Sequence, residues 1–235
     1  MNLLNIKTLI VLSLFSGAIN MPDSKKYAML CLGDSYTIGE SVHENERFPN
    51  QTAALLGEKG ITLDKPIIIA KTGWTTDELM AAIKDWEKQN THPFEPNKEV
   101  LVTLLIGVNN EFRNRDENEY RVQFVSLLNT AVKYAGGNNR HVFVLSIPDW
   151  GATPFAANDP RSRSPQQIGQ AIDRFNAINK EESLKAHVNY IDITPISRKA
   201  SSQPVLVAND GLHPSGKMYA EWSELLAKAI ADALR

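Results

Sequence analysis

The groups able to do chemistry in this 235-residue chain are few and far apart. Ser35 stands in Gly33-Asp34-Ser35-Tyr36, and Asp210 stands three residues before His213 in Asp210-Gly211-Leu212-His213-Pro214. Gly73 lies in Lys71-Thr72-Gly73-Trp74, and Asn109 in Gly107-Val108-Asn109-Asn110. A serine hydroxyl is a weak nucleophile until a base takes its proton, and an imidazole does this near neutral pH. The imidazole needs a carboxylate on its other ring nitrogen to hold its tautomer. Asp210 can supply it, with Gly211 permitting a tight turn between the two. Charge developing on a carbonyl oxygen needs donors already in place. The backbone N–H groups of Ser35 and Gly73 and the side-chain amide of Asn109 provide three. These are the residue types of acyl transfer through a serine. Each is ordinary alone: Gly-Asp-Ser is usually a turn, Gly73 a turn glycine and Asn109 a helix cap.

Their placement relative to the expected elements decides the matter. Apolar runs at Tyr27–Leu32, Ile67–Ala70, Val100–Ile106, Val142–Ile147 and Val188–Ile193 read as strands buried on both faces. Amphipathic stretches at Phe48–Gly57, Thr76–Lys88, Glu119–Ala135, Pro165–Lys185 and Ser215–Leu234 read as helices between them. In the Glu119–Ala135 helix, Val122, Val125, Leu128 and Val132 form the expected apolar face. In the last helix, Met218, Trp222, Leu225, Leu226 and Ile230 do so. Alternating strands and helices predict a doubly wound α/β fold with helices on both sides of a parallel sheet. In such sheets ligands bind beyond the carboxyl ends of the strands, and all four segments above follow a strand run. The longest irregular stretch, Pro148–Ser164, is long enough to serve a function of its own.

Composition narrows the function classes. With 25 Lys and Arg against 27 Asp and Glu, the net charge is −2, which gives no electrostatic reason to bind nucleic acid. The one cysteine, Cys31, lies in an apolar run and reads as a buried, inert thiol. Lys7, the apolar stretch Thr8–Phe15 and Ser16-Gly17-Ala18 have the parts of a secretory signal. That reading makes residues 1–18 a removable leader and 19–235 a single domain that is periplasmic or secreted. Cleavage removes Lys7 and moves the net charge from −2 to −3. The rival readings are an uncleaved interfacial anchor, or a start at Met21 and a cytoplasmic protein. No membrane span is expected in the mature chain.

The four segments resemble the four blocks of the SGNH (GDSL-type) hydrolases, whose defining Ser, Gly, Asn and His fall on Ser35, Gly73, Asn109 and His213. GDSYTIGE at 33–40 and PDWG at 148–151 are similar to bacterial lysophospholipase- or esterase-like members. The resemblance implies a flavodoxin-like three-layer α/β/α sandwich with a five-stranded parallel sheet. It also implies a cofactor-free, metal-free acyl-enzyme mechanism, with Ser35, Asp210 and His213 as triad and Ser35, Gly73 and Asn109 as oxyanion hole. Tyr36 replaces the usual Leu, and Asn110 replaces the usual Asp, so hydrogen bonding around residue 110 is expected to differ. Short- to medium-chain acyl esters or lysophospholipids are the expected substrates. Carbohydrate O-deacetylation is the rival with the same chemistry, and a non-catalytic binding module the rival of another class.

Tyr36, Trp74, Phe112 and Trp150, together with Phe155, lie near strand ends and are candidates to line an apolar acyl pocket. Packing explains any one of them equally well. Arg113 and Arg115 are candidates to meet an anionic head group, with solvated charge as the plainer reading. His43 follows the nucleophile and is a candidate substrate contact. His141 and His187 flank strand starts at the far end, and His92 reads as a solvated loop residue. No histidine has the spacing of a metal site, and the acidic clusters of a metal-dependent phosphoesterase are missing from the strand ends.

Overall fold

The computed structural model describes residues 26–91, 94–95 and 98–235. The leader reading for residues 1–18 and the reading of His92 fall outside them. Among the described residues six strands form one all-parallel sheet: β1 (Lys26–Gly33), β2 (Thr62–Leu63), β3 (Ile67–Ala70), β4 (Glu99–Leu105), β5 (Val142–Leu145) and β6 (Asn189–Ile191). Both β2 and β3 pair with the same edge of β1, β2 at its start and β3 at its end. They occupy one position split by Asp64-Lys65-Pro66, so the sheet has the five positions expected. The two-residue β2 carries no readable period, which is why the sequence does not announce it. The order across the sheet is β2/β3-β1-β4-β5-β6, the flavodoxin-like order.

Helices cover both faces: α1 (Ser35–Ile38), α2 (Phe48–Glu58), α3 (Thr76–Gln89), α4 (Val108–Phe112), α5 (Glu117–Tyr134), α6 (Pro165–Lys185), α7 (Thr194–Arg198) and α8 (Gly216–Ala233). Helices α3, α5 and α6 pack side by side, and α2 packs on α8. The five long helices fall within two residues of their expected bounds. Their ends follow local chemistry: Glu78 accepts the Thr75 N–H at 2.8 Å ahead of α3, and Ser164 with Gln167 caps α6. At the end of α5 the Gly137 N–H reaches back to the Val132 carbonyl at 2.9 Å. The short α1, α4 and α7 are too brief to show a helical period.

The buried face of α5 differs from the expected one. It consists of Tyr120, Phe124, Leu127, Leu128 and Ala131, while Val122 is 71% exposed. Aromatic rings bury more area than valines and set the helix rotation. Tyr120 also donates from its hydroxyl to Asn179 Oδ1 at 2.6 Å and reaches the Ile106 carbonyl at 3.1 Å. On α8, Leu225 likewise faces outward, whereas Met218, Trp222, Leu226 and Ile230 are buried.

Register places the site. Gly33 at the end of β1 pairs with Ala70 on β3 and with Leu105 on β4. Three strands therefore end at one level, and the segments holding Ser35, Gly73 and Asn109 leave from one edge. Gly107 makes the exit from β4 possible. Its φ is +130°, and a Cβ there would lie 2.5 Å from the Tyr120 hydroxyl and 2.6 Å from Ile147 Cδ1. Gly107→Ala is expected to destabilise the protein by about 2–5 kcal/mol, from strain and overpacking together. Denaturant unfolding checks this, and an unchanged midpoint would show that the turn relaxes freely.

Candidate active site

Ser35 opens α1 directly after β1. The N-cap is Asp34, whose Oδ1 accepts the Tyr36 N–H at 3.0 Å. The Asp34 side chain is buried and its Oδ2 has no partner. Burial pushes its carboxyl up to about 7, against hydrogen bonds from backbone amides that lower it. The N–H of Ser35 and the N–H of Gly73 form no hydrogen bond within the described residues; of the two residues, Ser35 lines the cleft described below and Gly73 is outside its lining.

Asp210 and His213 meet on one turn. Gly211, with φ +73°, donates its N–H to the Ala208 carbonyl at 3.0 Å. Asp210 Oδ1 accepts the N–H groups of Leu212 and His213, each at 2.9 Å. Its Oδ2 accepts from His213 Nδ1 at 2.6 Å and from the Ser41 hydroxyl at 2.6 Å. A carboxylate can only accept, so Nδ1 carries the hydrogen and Nε2 is the basic nitrogen. Burial would raise the carboxyl of Asp210, but the hydrogen bonds from Ser41, His213 and the two amides outweigh it. They hold it well below the usual carboxylate range. An antiparallel bridge between Val207 and Pro214 pins the turn, and the Tyr36 ring meets the imidazole edge-on at 5.4 Å.

Asn109 lies in the first turn of α4, and its Nδ2 donates to the Trp74 carbonyl at 2.9 Å. One amide hydrogen is thereby used in holding the side chain, and the second remains to donate. The neighbouring Asn110 is buried and clasps α3: it accepts the Thr76 N–H at 3.1 Å and donates to the Thr76 hydroxyl at 2.7 Å. A carboxylate at 110 could only accept, so the amide adds the second bond.

Ser35, Asn109 and His213 line one cleft of about 420 Å³ that includes its open mouth. Its remaining walls are Tyr36, Val108, Phe112, Trp150, Phe155 and Leu212. Phe112 and Trp150 pack edge-to-face at 5.4 Å, and Phe155 lies against both. Trp150 sits in the 148–164 segment, held by its Nε1 donating to Glu111 Oε2 at 2.9 Å, with the Arg163 guanidinium 5.5 Å over its ring. Glu111 also pairs with Arg161 and Arg163, and Arg163 with Asp159. The Phe155 N–H donates to the Gly211 carbonyl at 2.9 Å, tying this segment to the Asp210–His213 turn.

Of the five aromatics expected in the pocket, Tyr36, Phe112, Trp150 and Phe155 are in its wall. Trp74 is outside it and serves through its carbonyl. Arg113 holds the Gly73 carbonyl at 2.6 Å and pairs with Glu78, so it braces the 71–74 loop. Arg115 is exposed. His43 is exposed outside the cleft, its N–H capped by Glu46. His141 is buried beside Glu99 and Tyr27, away from the site. Ser41, Val108 and Leu212 contribute without having been expected. The two apolar residues lie within the motif segments of Asn109 and His213, and that placement is the available signal. Among the described residues no group of three or more His, Cys, Asp or Glu side chains could hold a metal, and no helix is long and apolar enough to cross a membrane.

A serine, a carboxylate-paired imidazole and a side-chain amide around one apolar cleft, on a flavodoxin-like sandwich, define the class of α/β acyl-transfer hydrolases. The chain belongs to the GDSL-like lipase/acylhydrolase family, whose sequence pattern matches residues 31–221. Comparison with curated proteins gives no match. Solved structures share the fold at low identity. A family 3 carbohydrate esterase from Clostridium thermocellum is 21% identical, with 90% of this chain and 98% of that one covered and a TM-score of 0.64. An acetyl xylan esterase from Geobacillus stearothermophilus is 15% identical, with 89% and 97% covered and a TM-score of 0.63. The psychrotrophic esterase EstA from a Pseudoalteromonas species is 14% identical, with 88% and 98% covered and a TM-score of 0.63.

The buried carboxyl beside Ser35 has a measurable consequence. Burial raises the Asp34 carboxyl from its ordinary 3.8 in the unfolded chain to about 7 in the folded one. Its contribution to stability is therefore present below pH 3.8 and lost as pH rises through about 7. Asp34→Asn keeps an acceptor for the Tyr36 N–H and removes the ionisation. The gain in Tm over the parent is expected to be larger at pH 8 than at pH 4.5 by differential scanning fluorimetry. An equal difference at both would show that Asp34 ionises normally.

Proposed function

We propose that the protein hydrolyses carboxylic esters of short- to medium-chain acyl groups through an acyl-serine intermediate. The observation that carries this is the 2.6 Å contact of His213 Nδ1 with Asp210, which leaves Nε2 basic in the cleft that Ser35 also lines. Ser35 Oγ attacks the ester carbonyl carbon while its proton passes to His213 Nε2. The resulting oxyanion rests on the Ser35 and Gly73 N–H groups and the free hydrogen of Asn109. The bond to the alkoxy oxygen then breaks, and His213 returns the proton to the departing alcohol. Water repeats the sequence on the acyl-serine and releases the acid. Ser35 and His213 form no direct hydrogen bond in the free protein, in keeping with such contacts tightening when substrate binds.

The size and lining of the cleft support the substrate class. Phe112, Trp150, Phe155, Val108 and Leu212 offer an apolar chain a wall with no charged group. Hydrolysis of p-nitrophenyl esters from acetyl to palmitoyl tests the reading. Ser35→Ala is expected to lower kcat by about four orders of magnitude or more; equal rates in parent and variant would exclude Ser35 as nucleophile.

The same series tests the pocket. Phe155→Ala is expected to move the optimum to longer acyl chains, while Trp74→Ala leaves the optimum where it is. An optimum that follows Trp74 would reverse this assignment of the wall. Release of acetate from acetylated xylan at a rate above that from every p-nitrophenyl ester would favour carbohydrate O-deacetylation instead.

A further inference from the structure

Among the described residues, four that are not glycine have φ in the left-handed region: Ser41, Asn114, Ser162 and His187. Serine is not a residue that adopts this conformation freely, and glycine would hold it without strain. Of the four, Ser41 alone places its side chain on a residue of the catalytic turn. At φ +65° its hydroxyl donates to Asp210 Oδ2 at 2.6 Å.

That bond completes a set. Asp210 offers about four acceptor positions, two on each oxygen. The Leu212 and His213 amides use Oδ1, and His213 Nδ1 with Ser41 uses Oδ2. Three of the four donors come from the turn of Asp210 itself. Ser41 alone comes from another part of the chain, 169 residues away. It holds Asp210 relative to the segment that carries Ser35. Glu40, its neighbour, accepts a hydrogen bond from Thr72 in the loop of Gly73. The turn after α1 thereby joins the nucleophile's helix to both the carboxylate turn and the oxyanion loop.

We infer that Ser41 is a positioning residue for the Asp210–His213 pair, retained in a strained conformation because its hydroxyl fixes the carboxylate against the nucleophile's own loop. It touches no substrate and moves no proton. The inference rests on the acyl-serine reading given above.

The test compares Ser41→Gly with Ser41→Ala in the intact protein, beside Ser35→Ala and Asp210→Asn. Glycine removes both the hydroxyl and the strain, whereas alanine removes the hydroxyl and keeps the strain. Both are expected to lose about tenfold in kcat, the scale of one hydrogen bond to a charged group, with KM unchanged. The glycine variant is expected to be at least as stable as the parent, and the alanine variant no more stable than the glycine one. The low-field proton resonance of His213 Nδ1–H is expected to shift or broaden in both. In the Asp210→Asn background, Ser41→Gly is expected to add little further loss. Parent kcat and an unmoved resonance in both Ser41 variants would overturn the inference while a dead Ser35→Ala left the acyl-serine reading intact. Full activity of Ser35→Ala would remove that reading and this inference with it. A loss in kcat that follows Tm across the two variants would make Ser41 merely structural and also overturn it.

Discussion

β1 is hydrogen-bonded to neighbours on both edges, to β2 and β3 on one side and to β4 on the other. Its side chains from Tyr27 to Leu32 are buried. A one-residue slip would exchange the faces of the strand and abandon bonds on both edges at once. That double constraint sets where Gly33 lies, and hence where Ser35 lies. Because Gly33, Ala70 and Leu105 share a level, the Gly73 loop and the start of α4 inherit the same height. The geometry of the site is thus first a matter of strand register.

Above that platform, hydrogen bonds replace packing as the agent of position. The Trp74 carbonyl holds Asn109, Asn110 clasps Thr76, and Arg113 holds the Gly73 carbonyl. The Ser35 and Gly73 N–H groups are left out of this exchange, and a half-buried amide without a partner is costly unless something else meets it. On the acyl-serine reading proposed above, these amides are the donors that meet charge developing during reaction.

The wall of the cleft is held differently, by buried charge. Glu111 and Asp159 have almost no exposed side-chain area, and each pairs with Arg163. Burying ions costs several kcal/mol each, and well-placed partners only roughly offset it. Such a cluster adds little net stability and specifies one arrangement. Here it sets Trp150 beside α4, so the same short helix orients Asn109 and fixes the aromatic wall.

The sequence alone determined the chemical groups, their order and the elements that carry them. Continuous apolar runs mark strands covered on both faces, and the caps and glycines that end helices act within a few residues. The Asp210–His213 contact belongs with these, since three residues and one turn contain it. Tertiary structure alone decided which face of α5 is buried, because the rings of Tyr120 and Phe124 outweigh a periodic set of valines. It also decided that Trp74 works through its carbonyl while Val108 and Leu212 line the cleft, since each depends on loops from different strands arriving together. The contact of Ser41 with Asp210 is the extreme case. It joins residues 169 apart through a backbone conformation that serine does not favour, and no local pattern of residue types encodes such a pairing.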